Sequence, residues 1–366
     1  MNSISRYIIL TISLLVIGFF LWYFSNIVIY IIVASVLTLI GRPLVKLLGE
    51  LHIGRFRIPA ALRALFTLML LWFLAIGFFR VFIPIIANEA AELSTIDVDG
   101  FLDRLDEPLV AVERFYRNFN IGGENQLTFE QYLEEKLAAV LSISILSRFF
   151  GYITTLLGDI FISIFAISFI TFFSLKEESL LTEVLVVLIP EKFESNFREA
   201  FASVKYLLTR YLIGILIQLT GILLLVTLGM LIVGLSFKQS LLIGLTAALL
   251  NIVPYLGPLI GSSLGILLGL AFNINLPLNE LFLMGGYMLV VFMVVQAIDN
   301  VIIQPFVFSG SVKAHPLEIF IVIMMAATLA GIPGMILAIP AYTIIRVFAK
   351  VFFYNFRLVK KLTKKI

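Results

Sequence analysis

The chain has 366 residues, of which 61% are hydrophobic and only 13% charged, with a net charge of +3 and a mean hydropathy of +1.10. A typical soluble domain is about half apolar and a quarter charged, so lipid must solvate most of this chain. These figures exclude a disordered protein, a coiled-coil rod and a nucleic-acid binder built on a basic face.

There is no cysteine, which excludes disulfides, thiolate metal sites and cysteine nucleophiles. Two histidines, His52 and His315, are too few for an imidazole zinc centre. No cofactor is expected, because neither a phosphate-binding P-loop nor a dinucleotide fingerprint occurs.

Apolar runs of about 20 residues mark helices that span a bilayer. The first runs from Tyr7 to Phe24; without a small-residue cleavage pattern behind it, it reads as a retained span rather than a removed signal. The second covers about Ile27 to Ile40. A basic stretch with Arg42, Lys46, Arg55, Arg57 and Arg63 follows, and the third span is about Ala64 to Ala87.

Residues 89–147 carry twelve acidic and four basic residues and no long apolar run, so they form a water-exposed insert. The run Thr128–Gln131 has the spacing of a capping box, and Asp106–Pro108 suits a helix start, so the insert is expected to be helical. Span four is about Phe149 to Leu175. Beyond it Phe193, Phe197, Phe201, Val204 and Leu208 recur at steps of three or four, between Lys192, Glu194, Asn196, Arg198 and Glu199. That period gives an amphipathic helix, lying on the membrane surface or packed on protein, which feeds span five at about Tyr206–Val233.

Three apolar regions remain: Leu241–Phe272, Leu281–Val295 and Leu317–Phe348. The first and last are too long for one untilted crossing. Each is broken near its middle, by Pro254, Gly257 and Pro258 in one and by Gly331, Pro333 and Gly334 in the other. Either they are long kinked helices, giving eight spans, or they are re-entrant hairpins added to six spans. In the second case span five with the first hairpin, and the span at Leu281 with the second, become copies of opposite orientation. Interrupted helices in corresponding positions point to a transporter binding site. The fold class is therefore an all-α polytopic membrane protein with a small extracytoplasmic helical insert. Its units are 1–88, 89–147, 148–205, the inverted-repeat transport region 206–350, and a basic tail at 351–366. The basic loop after span two and the tail are expected to lie in the cytoplasm, and with them both termini.

Polar residues gather in the same region. Gln296, Asn300 and Gln304 share one helix face, and Asp299 sits beside them. An acid at the end of a span either binds a cation or proton in a cavity or rests at the wet interface. With Asn251 at the first break, these are the candidate substrate or ion ligands. Asp159, inside span four, is expected to pair with Arg80 or Arg210. His315 and Glu318 flank Pro316, where a first-turn acid suits the helix dipole. Gly257, Gly261, Gly265 and Gly269 recur every fourth residue, the spacing at which helix backbones approach closely. The run Gly261–Gly265 fits G-x-S-x-G but has no strand before it, so a serine nucleophile is rejected and the protein is not expected to be an enzyme.

The runs LLNIVPYLGPLIG (Leu249–Gly261), QAIDNVIIQPFVFSGSVKAHPL (Gln296–Leu317) and AGIPGMILAIP (Ala330–Pro340) resemble motifs of the autoinducer-2 exporter family. An early RPLV at Arg42 and LIPEKF at Leu188 fall in the same order. Where that family often has glycine followed directly by glutamine in span five, Gly214 is followed here by Ile215, and the glutamine is Gln218. The resemblance implies a homo-oligomeric, elevator-like carrier with two hairpins, in a lipid bilayer, acting on a small molecule or ion. It matches Pro254, Gly257 and Pro258 to the first hairpin tip, Gln296, Asp299, Asn300 and Pro305 to the polar motif, and Gly331 and Gly334 to the second tip. Export of a small polar metabolite driven by protons or sodium is the expected function. Sodium or lithium exchange for protons and a passive oligomeric channel are the alternatives.

Overall fold

The computed structural model describes residues 12, 15–16, 18–20, 22–50, 52–53, 56–93, 157–187, 189–305 and 315–352. The Tyr7–Phe24 span, the insert beyond Leu93 with its Thr128–Gln131 box, the Asp159 side chain and the basic tail lie wholly or largely outside the described residues.

Nine α-helices are described: α1 (Ser25–Glu50), α2 (Ala60–Leu93), α3 (Leu157–Lys176), α4 (Leu180–Val186), α5 (Glu194–Val233), α6 (Phe237–Leu250), α7 (Leu256–Phe272), α8 (Leu278–Ile298) and α9 (Pro316–Phe352). Between α1 and α2 the two-residue strands His52–Ile53 and Phe56–Arg57 pair antiparallel. Among the described residues α1, α2, α5, α8 and α9 are long and apolar enough to cross a membrane, and α3, α6 and α7 are shorter apolar helices. The protein is an all-α polytopic membrane protein.

The helices overrun the apolar runs that announce them. The second span continues through Pro43 to Glu50, so Arg42 and Lys46 ride on α1 rather than in a loop. Residues 194–233 form one helix of 40 residues, about 60 Å long and twice a hydrocarbon core of about 30 Å. Its first third carries the Phe193–Leu208 period. That face is covered by protein: the Phe197 and Phe348 rings lie 5.6 Å apart and the Phe193 and Phe352 rings 6.1 Å. Ala200 and Val204 bury against Val347. Of the two surfaces the period allowed, this amphipathic segment uses protein. Helix α5 ends at Gly234, whose φ of 107° supplies the left-handed cap, with Leu235 N–H returning to Met230 O.

Helix α6 opens on a reciprocal capping box. Gln239 N–H donates to Ser236 Oγ at 3.3 Å and Ser236 N–H donates to Gln239 Oε1 at 3.2 Å. Helix α7 then folds back along α6. A Cβ on Gly257 would overlap the Leu250 carbonyl, one on Gly261 would meet Ala247 Cα at 3.3 Å, and one on Gly265 would meet Ile243 Cγ2 at 3.0 Å. The four-residue glycine period is thus a packing ridge: Gly257 and Gly261 lie on the α6 backbone, and Gly265 and Gly269 make room for Phe292 and Met288 of α8.

Helix α9 is a hairpin as well. Ala330 and Gly331 leave helical geometry, Gly331 at φ 59° and ψ −141°. Beyond the break Tyr342 OH donates to Glu318 Oε1, 24 positions back, whereas a continuous helix would hold those residues about 36 Å apart. At the tip a Cβ on Gly334 would overlap the Ala326 carbonyl. Pro258 and Pro333 each fall in the first turn after a break, where a missing N–H costs nothing. His315 and Glu318 cap this hairpin as expected: His315 N–H donates to Glu318 Oε2 and Leu317 N–H to His315 Nδ1.

Helices α1, α2 and α3 form an N-terminal bundle. At its centre Gly41 meets Thr67 and Leu175, and Trp72 Nε1 donates to Ser168 Oγ at 2.9 Å. The bundle grips the start of α5 through the α3–α4 link. Arg42 pairs with the Glu178 carboxylate at 2.6 Å, and Lys205 donates to Glu178 O and Thr182 Oγ1. Nearby, Arg198 holds both Glu183 oxygens, at 2.8 and 2.9 Å. That bidentate bond keeps the Glu183 carboxyl below its ordinary range.

Candidate functional site

The site is built on α5, against which both hairpins and α8 pack. Helix α8 runs antiparallel to it, as the contacts of Gly229 with Val291, Gly221 with Ile303 and Gln218 with Asp299 require. Helix α6 is also antiparallel to α5, since Gly244 sits on Thr227 and Leu223. The second arm of α9 packs on the opposite end of α5, with Phe348 on Phe197. The tip of the first hairpin meets α9 near its start, Tyr255 against Phe320. Midway along α5, Gln218 faces the end of α8.

At that height Asp299 is 1% exposed. Gln218 Nε2 donates to its Oδ1 at 2.9 Å and its Oδ2 at 3.1 Å. Gln304 Nε2 donates to Oδ2 at 2.8 Å. A local π turn over Asp299–Ile303 makes the last bond possible. Gln304 N–H reaches Asp299 O, five residues back, and the widened turn lifts Gln304 over Asp299, where an α-helix would have turned it aside. The expected row also forms: Gln296 and Gln304 both donate to Asn300 Oδ1, at 3.0 and 3.1 Å.

A small cavity of about 20 Å³ opens beside this row, lined by Asn251, Ser262, Gln296 and the apolar Ile222, Val226 and Phe292 among others. Asn251, 6% exposed, caps α6 and leaves its Nδ2 without a partner. An unpaired buried amide costs about 1–3 kcal/mol, so it awaits an acceptor. Through Gln296 the cavity connects by side-chain hydrogen bonds to Asn300, Gln304 and Asp299.

The structure thus joins Gln296, Asp299, Asn300 and Gln304 in one hydrogen-bond network, and Asn251 meets it only across the cavity it lines with Gln296. The first break lies beside the cavity and contributes Pro258 to its lining; Gly331, Pro333 and Gly334 of the second contribute nothing to it. Two participants escape a reading of the sequence. Gln218 looked displaced by three residues from its expected place at 215, yet one helical turn keeps it on the Gly214 face and delivers it to Asp299. Ser262 looked like half of a rejected nucleophile motif, and its hydroxyl donates to Leu259 O at 3.1 Å beside the cavity. Asp299 is buried rather than resting at the interface. Arg210, one expected partner of Asp159, donates to Tyr206 OH.

A family model described as AI-2E family transporter matches residues 10–353. The chain is similar to "Putative transport protein YueF" of Bacillus subtilis (strain 168), at 25% identity over 355 residues, 93% of this chain and 87% of YueF. It is also similar to "Putative transport protein YrrI" of the same organism, at 27% identity over 194 residues, 52% of this chain and 51% of YrrI.

Proposed function

We propose, on the premise that this chain belongs to the AI-2E family of transporters, that it is a secondary carrier exporting a small polar metabolite, driven by a proton or sodium gradient. The observation that carries the reading is Asp299, a carboxylate buried between the middle of α5 and the π turn that follows α8. Among the described residues its side-chain hydrogen bonds come from glutamine amides. An ionisable group at that depth is costly unless it binds and releases something. Interrupted helices give the backbone freedom to reshape around such a group, and their inverted arrangement suits alternating access from the two sides. The unit 89–147 and the cytoplasmic termini are part of this proposal and rest on the charge pattern; the unit 206–350 rests on the two interrupted hairpins. The bacterial inner membrane and assembly as a homo-oligomer rest on family resemblance.

In the cycle, Asn251 and Gln296 meet the transported species in the cavity, and Asn300 and Gln304 relay its presence to Asp299. A second reading, exchange of sodium or lithium for protons without an organic substrate, is favoured by the cavity itself. About 20 Å³ holds one water or one bare ion, since a single water needs about 10–15 Å³ on this measure.

The test is flux in vesicles reconstituted with purified protein, under imposed sodium, lithium, proton and metabolite gradients. Saturable flux that stops when the gradient collapses supports the carrier. Unitary currents in a planar bilayer would replace it with a channel. Cation exchange with no metabolite movement selects the second reading.

A further inference from the structure

Pro254 O accepts from Leu256 N–H at 2.8 Å, closing a three-residue γ-turn around Tyr255 at φ 67° and ψ −51°. Tyr255 is the one non-glycine residue with positive φ among those described. This hand of γ-turn is rare and strained, and a tyrosine is among the worst residues to occupy it. Such strain persists only where surroundings impose it. Two neighbours do so here. Behind the turn Gly257 presses its backbone on the Leu250 carbonyl, fixing where α7 starts. In front, the Tyr255 ring meets Phe320 of the other hairpin edge-to-face, at 6.4 Å and 72°. Both rings are partly exposed, 45% and 40%, so the pair closes a surface between the hairpins rather than filling a core.

We propose that Tyr255 is the gate residue of the carrier: its turn is strained in the conformation in which the hairpins touch, the Phe320 contact holds it there, and separation of the hairpins releases it. The proposal rests on the alternating-access reading and adds the residue that biases its two states. When the rings part, Tyr255 relaxes to negative φ, the start of α7 swings, and the Asn251 end of the cavity opens. Gating is built into the first hairpin, without a separate lid.

The absence of cysteine allows spin labels at Leu259→Cys and Met324→Cys, exposed positions on the two hairpins, with distances read by pulsed electron resonance in lipid vesicles. Phe320→Ala is expected to raise the long-distance population about five- to ten-fold relative to the parent, the scale of a lost edge-to-face pair. Tyr255→Phe keeps both ring and strained turn and should match the parent. Tyr255→Gly added to Phe320→Ala should return the short distance, because glycine occupies positive φ without strain. An unchanged distribution in Phe320→Ala, or no recovery in the double variant, overturns the proposal; thermal unfolding of each variant excludes loss of fold. The distances need no transported species. The expected pattern in a protein that moves nothing would keep the gate and discard the carrier.

Discussion

Gln218 donates its side-chain N–H to both carboxylate oxygens of Asp299 across 81 positions of sequence. The pair joins the middle of α5 to the π turn that ends α8. A hydrogen bond to a buried charged acceptor contributes about 1.5–3 kcal/mol. Replacing Gln218 by leucine should therefore lower stability by about that amount, read as a shift in thermal unfolding in lipid nanodiscs. The neighbouring Ile217 is 50% exposed, so the same replacement there should leave unfolding unchanged.

Asp299→Asn preserves shape and removes the charge. Coupled flux should fall to background while the unfolding temperature and oligomer profile stay at parent values. Full ion-coupled flux in that variant would remove Asp299 from the mechanism.

The fold-back of α9 is open to a direct check in a chain without cysteine. With cysteines at 318 and 342, in place of Glu318 and Tyr342, a short bifunctional thiol reagent should link the two arms. A straight helix, with those positions about 36 Å apart, would give none.

Gly257 and Gly286 should respond in opposite directions to alanine. At 257 the added carbon meets the Leu250 backbone carbonyl, which cannot step aside, so the hairpin must spread; a cost of about 1–3 kcal/mol is expected for such overpacking. At 286 nothing lies within 4 Å, and alanine should stabilise α8 by about 0.5–1 kcal/mol. Thermal unfolding of the two variants side by side decides it.

The Glu183–Arg198 pair sets a pH dependence. With Glu183 held below its ordinary value of 4.5, the pair's contribution is complete above that value and disappears as pH falls through the lowered one. Amide protection factors across Leu180–Val186, with the intrinsic pH dependence of exchange divided out, should be higher at neutral pH and fall in acid. Arg198→Ala should remove that fall, leaving protection low at both.

The broken hairpins were legible in the sequence because proline and glycine interrupt helices for local reasons, and the four-residue glycine period carries its packing partner with it. The row Gln296–Asn300–Gln304 was legible for the same local cause. The π turn was not, since Asp299–Ile303 carries no residue that demands one; it is imposed by what Gln304 and Gln218 gain at Asp299. Nor was the pairing of Gln218 with Asp299, which only the antiparallel register of α5 and α8 creates. The period from Phe193 to Leu208 announced an apolar face, and period alone does not say whether lipid or Phe348 covers it. Ser236 and Gln239 had the capping spacing in plain view on either side of Lys238.

Because α5 is unbroken, Arg198 and Gln218 belong to one rigid rod and sit about 30 Å apart along it. Tilting that rod to bring Gln218 off Asp299 drags Arg198 away from Glu183, and loosening the distant ion pair frees the rod. The aqueous end of the helix is thus a handle on the buried carboxylate.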